Sequence, residues 1–301
     1  MLTLRSDEAE VGVVPERGAG LASFRVRAGS GWADVLRPSD ATVDERFPLA
    51  SILLVPWSNR ISGGGLEWKG AFHALEPNVD GEKYPIHGEG FSLPLYVEHR
   101  SEASVTLSLH SDGPGPYRYG ARVTYALDGA RLAQRLEVTN AGEVELPFGL
   151  GFHPWFRRAA GTRLMAPAGR AWLEDAEHMP AGWDDPGASE LDFSRPAPLP
   201  DGWVNNLFTR WTGRARIEWP DAGLVAEIAA SANLGGYILF SPTPVAGYFC
   251  FEPVSHVIDA HNARPHWPDD MGPNGGLAPL APGETLGGSM SIDVGPLQPG
   301  V

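Results

Sequence analysis

The stretch Tyr117-Arg118-Tyr119-Gly120-Ala121-Arg122-Val123-Thr124-Tyr125-Ala126-Leu127-Asp128-Gly129-Ala130-Arg131-Leu132-Ala133-Gln134-Arg135-Leu136-Glu137-Val138-Thr139 alternates apolar and polar residues on both sides of Asp128-Gly129. A period of two sends one set of side chains to each face of a strand, and Asp-Gly favours the tight turn that joins two such strands. The stretch therefore predicts an antiparallel hairpin. The same grammar recurs outward from it. Ala215 to Ala229 turns at Pro220-Asp221-Ala222-Gly223, Leu66 to Leu75 turns at Lys69-Gly70, and Val105 to His110 and Ser289 to Val294 alternate cleanly. Val11 to Pro15 and Leu21 to Val26 read as a hairpin-like opening, and the apolar runs Leu49 to Val55 and Tyr237 to Phe240 read as buried strands. No dozen residues show helical periodicity free of Gly and Pro; Gly169 to Met179 comes nearest and lacks an amphipathic stripe. The expected fold is all-β, one large antiparallel β-sandwich domain over residues 1–301 with few or no helices.

Composition narrows the function. The 37 Gly and 28 Pro are scattered through the 301 residues, as many short strands and turns require. A formal charge of -14 repels phosphate backbones and anionic membranes, so nucleic acid and membrane are not expected partners. Met1 to Glu8 lacks the apolar core of a secretory signal, and no run approaches the ~18 apolar residues of a membrane span, so a cytoplasmic location is expected. Cys250, the single cysteine, lies between Phe249 and Phe251 and reads as a small core residue.

Several polar residues interrupt or follow apolar strands. In Gly151-Phe152-His153-Pro154-Trp155-Phe156, Pro154 forces His153 into an extended conformation, and Gly149 and Gly151 mark a bulge or a place where something approaches the backbone closely, as a sugar ring would. An ordinary core histidine satisfies the same stretch. Asn59 and Arg60 follow a strand and precede Gly63-Gly64-Gly65, and His87 sits in the glycine-rich Pro85 to Gly90. Glu252 ends the run Tyr248-Phe249-Cys250-Phe251, where desolvation raises a carboxylate's proton affinity and makes it a usable base. His256, His261 and His266 recur with Asp259 among them, but five-residue steps do not place ligands on one face, and Pro253, Pro265 and Pro268 argue for loop, so no metal is expected. Phosphate-cradling, dinucleotide and Gly-x-Ser-x-Gly motifs are missing, so no nucleotide cofactor is expected.

Taken in order, Asn59-Arg60-Ile61, His87-Gly88, Gly151 to Phe156, Phe251-Glu252-Pro253 with Asp259 to Asn262, and Leu280 to Thr285 resemble the aldose 1-epimerase (galactose mutarotase) family, in its bacterial branch with shortened loops. The resemblance implies a galactose mutarotase-like β-sandwich and a cofactor-independent isomerase whose partner is a small monosaccharide, as monomer or homodimer. It implies that Glu252 takes the proton of the anomeric hydroxyl, that His153 protonates the ring oxygen, and that Asn59, Arg60 and His87 hold nearby oxygens. Trp155 joins them against the sugar. Where the family carries a sugar-gripping aspartate, the segment Trp203 to Phe208 offers Asn205. Arg157-Arg158 admits an alternative substrate, a hexose 6-phosphate or other acidic sugar. A non-catalytic sugar-binding sandwich, with Trp57, Trp155 and Trp267 as stacking platforms, is the other alternative; only an epimerase needs His153 and Glu252 face to face.

Overall fold

The computed structural model describes residues 1–39, 47–262 and 268–298. Pro265, His266 and Trp267 lie outside the described residues. The Asp128-Gly129 hairpin forms as its alternation dictates: strand Tyr119–Asp128 pairs with Arg131–Asn140 from Tyr119 opposite Asn140 to Asp128 opposite Arg131, and Gly129 supplies the left-handed residue at φ 56°. Ser104–Ser111 flanks it on one side and Thr285–Pro296 on the other, at the centre of a sheet of nine described strands.

A second sheet, of eleven described strands, carries in spatial order Ser51–Leu54, Gly151–Arg157, Tyr248–Val254, Gly236–Ser241, Val204–Thr209 and Arg170–Glu174, all antiparallel. The two sheets stack through one apolar core. Val123, Tyr125, Leu136 and Ile228 from the first meet Phe152, Phe156, Leu239 and Phe251 from the second. Side chains of the opposite parity on the second sheet, among them Trp155, Leu207, Ile238, Cys250 and Val254, form a separate apolar cluster on its outer face. By the same parity His153, Glu252 and Asn205 face outward with that cluster, away from the main core.

The all-β expectation holds, and among the described residues the only helical elements are short 3-10 turns. None of the helices is long and apolar enough to cross a membrane. The segment nearest to a helix in sequence, Gly169 to Met179, instead forms strand Arg170–Glu174 and a turn into Pro180–Asp184, because it gains ladder partners in Val204–Thr209 on its other edge.

The close approach at Gly149 also differs from expectation. A Cβ on Gly149 would lie 2.0 Å from His256 Cδ2, and one on Gly151 would lie 3.0 Å from the Pro253 carbonyl oxygen. What crowds these glycines is the protein's own chain, and no sugar is needed to explain them. Gly149→Ala is therefore expected to destabilise the fold by about 1–3 kcal/mol through displacement of the His256 ring, whereas Gly31→Ala, where an added Cβ meets nothing within 4 Å, should change stability by less than about 0.5 kcal/mol. Urea denaturation of the two variants checks the contrast.

Candidate active site

The strands Gly151–Arg157 and Tyr248–Val254 pair with Gly151 opposite Val254 and Trp155 opposite Cys250, a register that sets His153 directly across from Glu252. Their side chains meet: His153 Nε2 lies 3.4 Å from Glu252 Oε1, and both residues are buried. Beneath them the Trp155 ring stacks on the His153 imidazole with centroids 3.8 Å apart and planes 12° from parallel. His153 Nδ1 and Glu252 Oε2 have no hydrogen-bond partner among the described residues. Buried polar atoms left open in this way are costly unless a ligand satisfies them.

Burial sets the proton affinities. Desolvation holds His153 well below the ordinary histidine value, with His87 and Arg37 adding to the effect, and pushes the Glu252 carboxyl well above the carboxylate range against the pull of Arg60. Burial thus favours the uncharged form of each, the carboxylic acid at Glu252 and the neutral imidazole at His153.

One wall is built by the residues after strand Ser51–Leu54. Asn59 and His87 both adopt left-handed backbone, at φ 57° and 62°, and are locked by reciprocal bonds: the Asn59 N–H donates to His87 Nδ1 at 3.0 Å, and the His87 N–H donates to the Asn59 carbonyl at 3.0 Å. Since Nδ1 accepts, the ring proton of neutral His87 sits on Nε2. Burial, aided by Arg60, lowers His87 to about 3, so it serves as a neutral donor. Arg60 reaches Glu82 Oε2 with Nε at 3.1 Å and a terminal nitrogen at 2.9 Å.

These groups converge on a cavity of about 190 Å³ lined by Asn59, Arg60, His87, His153, Glu252 and, across from them, Asn205. Trp155 also lines it, but at 3% exposure its face is taken by His153, and Arg37 lies over the ring at 4.6 Å, so it supports the imidazole more than it offers a platform. Trp57 does not line the cavity; it is buried against Tyr117. Arg157 and Arg158 do not line it either: Arg157 pairs with Asp221, and Arg158 bonds Ser241 Oγ at 2.6 Å and the carbonyl of Pro200 at 2.8 Å.

Sequence reasoning missed Glu82, His178, Trp203 and Tyr248, which also line the cavity. Trp203 was within reach, since it stands two residues before Asn205, on the same side of an extended chain. Glu82 and His178 come from turns that carry no local signal.

The histidines of the 256–262 segment are structural. His256 Nε2 accepts the Ser58 N–H at 2.9 Å and Nδ1 donates to the Val257 carbonyl at 2.8 Å, so both nitrogens are engaged. His261 Nε2 meets the Tyr117 hydroxyl at 3.1 Å, and Asp259 binds the Ser62 N–H at 2.9 Å and its hydroxyl at 2.7 Å. His256 and Asp259 thereby tie the Ser58 to Gly65 segment into place. Among the described residues one grouping has donors close enough for a metal ion, His153, Cys250 and Glu252, with atoms within 4.8 Å of one another. Its Cys250 thiol is pushed well above its ordinary value by burial, then by Glu252, whereas a metal wants thiolate; the donor set suits proton transfer better.

A family model described as aldose 1-epimerase matches residues 1–293. The chain belongs to the aldose 1-epimerase family. It is 36% identical over 276 residues to the uncharacterized protein YphB of Escherichia coli K12, spanning 87% of this chain and 90% of that protein. Its fold matches a crystal structure from Escherichia coli K12, provisionally named an aldose 1-epimerase, with a TM-score of 0.87 at 33% identity over 98% of each chain. A galactose mutarotase-like protein of Clostridium acetobutylicum matches in fold at a TM-score of 0.82 and 17% identity, over 98% of this chain and 94% of that one.

Buried neutral histidines leave a mark on stability. The unfolded chain protonates His87 and His256 below about 6.5, whereas the native protein keeps them neutral down to about 3 and about 4. Their contribution is whole above 6.5 and is lost as pH falls from 6.5 toward 4, by about 2.7 kcal/mol per pH unit for the two at 1.36 each, with Glu252 opposing. Denaturant midpoints at pH 6.5, 5.5 and 4.5 should fall steadily; midpoints that rise toward acid would mean these rings are solvated.

Proposed function

We propose that the chain is a single-domain cytoplasmic aldose 1-epimerase that interconverts the α and β anomers of a free, neutral aldose by acid–base ring opening and closure. The observation that carries this reading is the buried His153–Glu252 pair, 3.4 Å apart at the floor of a cavity sized for a small molecule. A protein that only binds sugar has no use for two proton carriers held in contact in a dry site.

The pair carries one proton in total. Glu252 as carboxylate takes the proton of the anomeric hydroxyl while His153 as imidazolium delivers its proton to the ring oxygen. The C1–O5 bond breaks with its electrons going to O5, and the electrons released at O1 form the aldehyde. Glu252 is then a carboxylic acid and His153 a neutral imidazole, the forms that burial favours. Rotation about C1–C2 and attack of the O5 hydroxyl on the other face return both protons. General acid and general base contribute ~10² to 10⁴ each, which is sufficient for this chemistry without a metal or redox group. His87 Nε2–H and Arg60 are placed to donate to sugar oxygens, and Asn59 fixes His87.

The neutral-sugar reading rests on charge. Among the described lining residues the arginine is Arg60, and Glu82 already holds its guanidinium. Glu82 and Glu252 line the same cavity, and Arg157 and Arg158 lie elsewhere. Among the described residues a phosphate dianion finds no uncommitted cation there.

Glu252→Gln and His153→Asn should each cut catalysed anomer exchange by at least ~10²-fold while leaving the fold intact, as read by NMR exchange and circular dichroism; exchange at the wild-type rate in either variant removes that residue from the mechanism. In the same assay glucose and galactose should exceed glucose 6-phosphate in kcat/KM, and a preference for the phosphate would reverse the substrate reading.

A further inference from the structure

The cavity wall opposite His153 is organised by a carboxylate that does not itself line the cavity. Glu174 ends strand Arg170–Glu174, where the register with Pro180–Asp184 shifts between Leu173 and Glu174. Glu174 stands two residues after Trp172, so alternation turns it to the same outer face. Three donors converge on it: Trp203 Nε1 on Oε1 at 2.6 Å, Asn205 Nδ2 on Oε2 at 2.6 Å, and His178 Nδ1 on Oε2 at 2.8 Å. All three donor residues line the cavity.

This contact decides what Asn205 presents. A carboxylate only accepts, so the amide nitrogen is committed to Glu174 and the amide cannot turn over. The other end of the amide, Oδ1, is left as the acceptor for a ligand. Asn205 thus offers a sugar what a carboxylate oxygen would, without a second charge in the wall. Trp203, half exposed, is held by its indole N–H, with its ring edge-on to Phe240 at 5.0 Å and tilted over His178 at 5.5 Å. Strand Val204–Thr209 lies two strands from Tyr248–Val254, a spacing of about 10 Å. A pyranose whose C1 is at Glu252 therefore brings to Asn205 its hydroxyls remote from the anomeric carbon.

We infer that Glu174 is a positioning residue that sets sugar recognition: by anchoring Asn205, His178 and Trp203 together it fixes an acceptor wall for the hydroxyls remote from C1. This inference rests on the function proposed above. Fixing three groups through one anchor lowers the cost of ordering them when sugar binds, so its loss should appear in KM and not in kcat, because the proton-transfer pair is untouched.

The test is a double-mutant cycle with glucose and galactose, read as KM and kcat by NMR exchange and as affinity by quenching of tryptophan fluorescence. Glu174→Gln should raise KM about tenfold with kcat within about twofold. Asn205→Asp in the presence of Glu174 should raise KM by more than tenfold, since two carboxylates would then face each other across a hydrogen-bond distance. The double variant Glu174→Gln/Asn205→Asp reverses donor and acceptor, and should bring KM back to within about threefold of wild type. Additive damage in the double variant, or Asn205→Asp binding sugar as well as wild type, overturns the inference while leaving the proposed function standing. A wild-type protein that exchanges no anomers overturns the function instead, and the fluorescence affinities of the same four proteins still judge the Glu174 anchor.

Discussion

Everything at the site depends on one cross-strand register, the pairing of Gly151–Arg157 with Tyr248–Val254. Because side chains alternate, that register fixes two things together: Phe152 and Phe251 go into the core between the sheets, and His153 and Glu252 go to the outer face. A slip of one residue would bury these two polar side chains in the main core and send the aromatics outward. The core that stabilises the sandwich therefore also sets the distance between His153 and Glu252. The outer-face cluster around Trp155 and Cys250 then keeps the pair dry, and that burial favours the uncharged form of each.

Around that floor, the rest of the cavity is assembled from excursions that the sheet alone would not order. The Asn59 and His87 backbones are held in left-handed conformation by each other, and the Ser58 to Gly65 segment is pinned from outside by His256, Asp259 and Asn262. Opposite them, Glu174 gathers Asn205, His178 and Trp203. Two carboxylates outside the His153–Glu252 pair, Glu82 and Glu174, thus each hold donors of the wall in fixed directions.

The sheets were legible in the sequence where alternation met a turn residue, as at Asp128-Gly129 and Lys69-Gly70, because the period of two is a direct record of burial on one face. His153 and Glu252 were legible as strand residues in aromatic surroundings, since Pro154 restricts His153 and Tyr-Phe-Cys-Phe precedes Glu252. That they face each other was not, because ladder register between strands about a hundred residues apart has no local signature. The glycines beside His153 misled for a related reason: their crowding comes from His256 at Gly149 and from Pro253 at Gly151, both distant in sequence. Glu174 and His178 escaped entirely, since their meeting with Trp203 and Asn205 depends on pairing between strands about thirty residues apart.

The most direct test of the account is a crystal structure of the Glu252→Gln protein with glucose or galactose bound in the cavity. The account predicts the ring oxygen within about 2.6–3.2 Å of His153 Nε2 and the anomeric hydroxyl within the same distance of the side chain at position 252. A sugar bound with C1 turned toward Asn205, or with no oxygen in reach of His153, would contradict it.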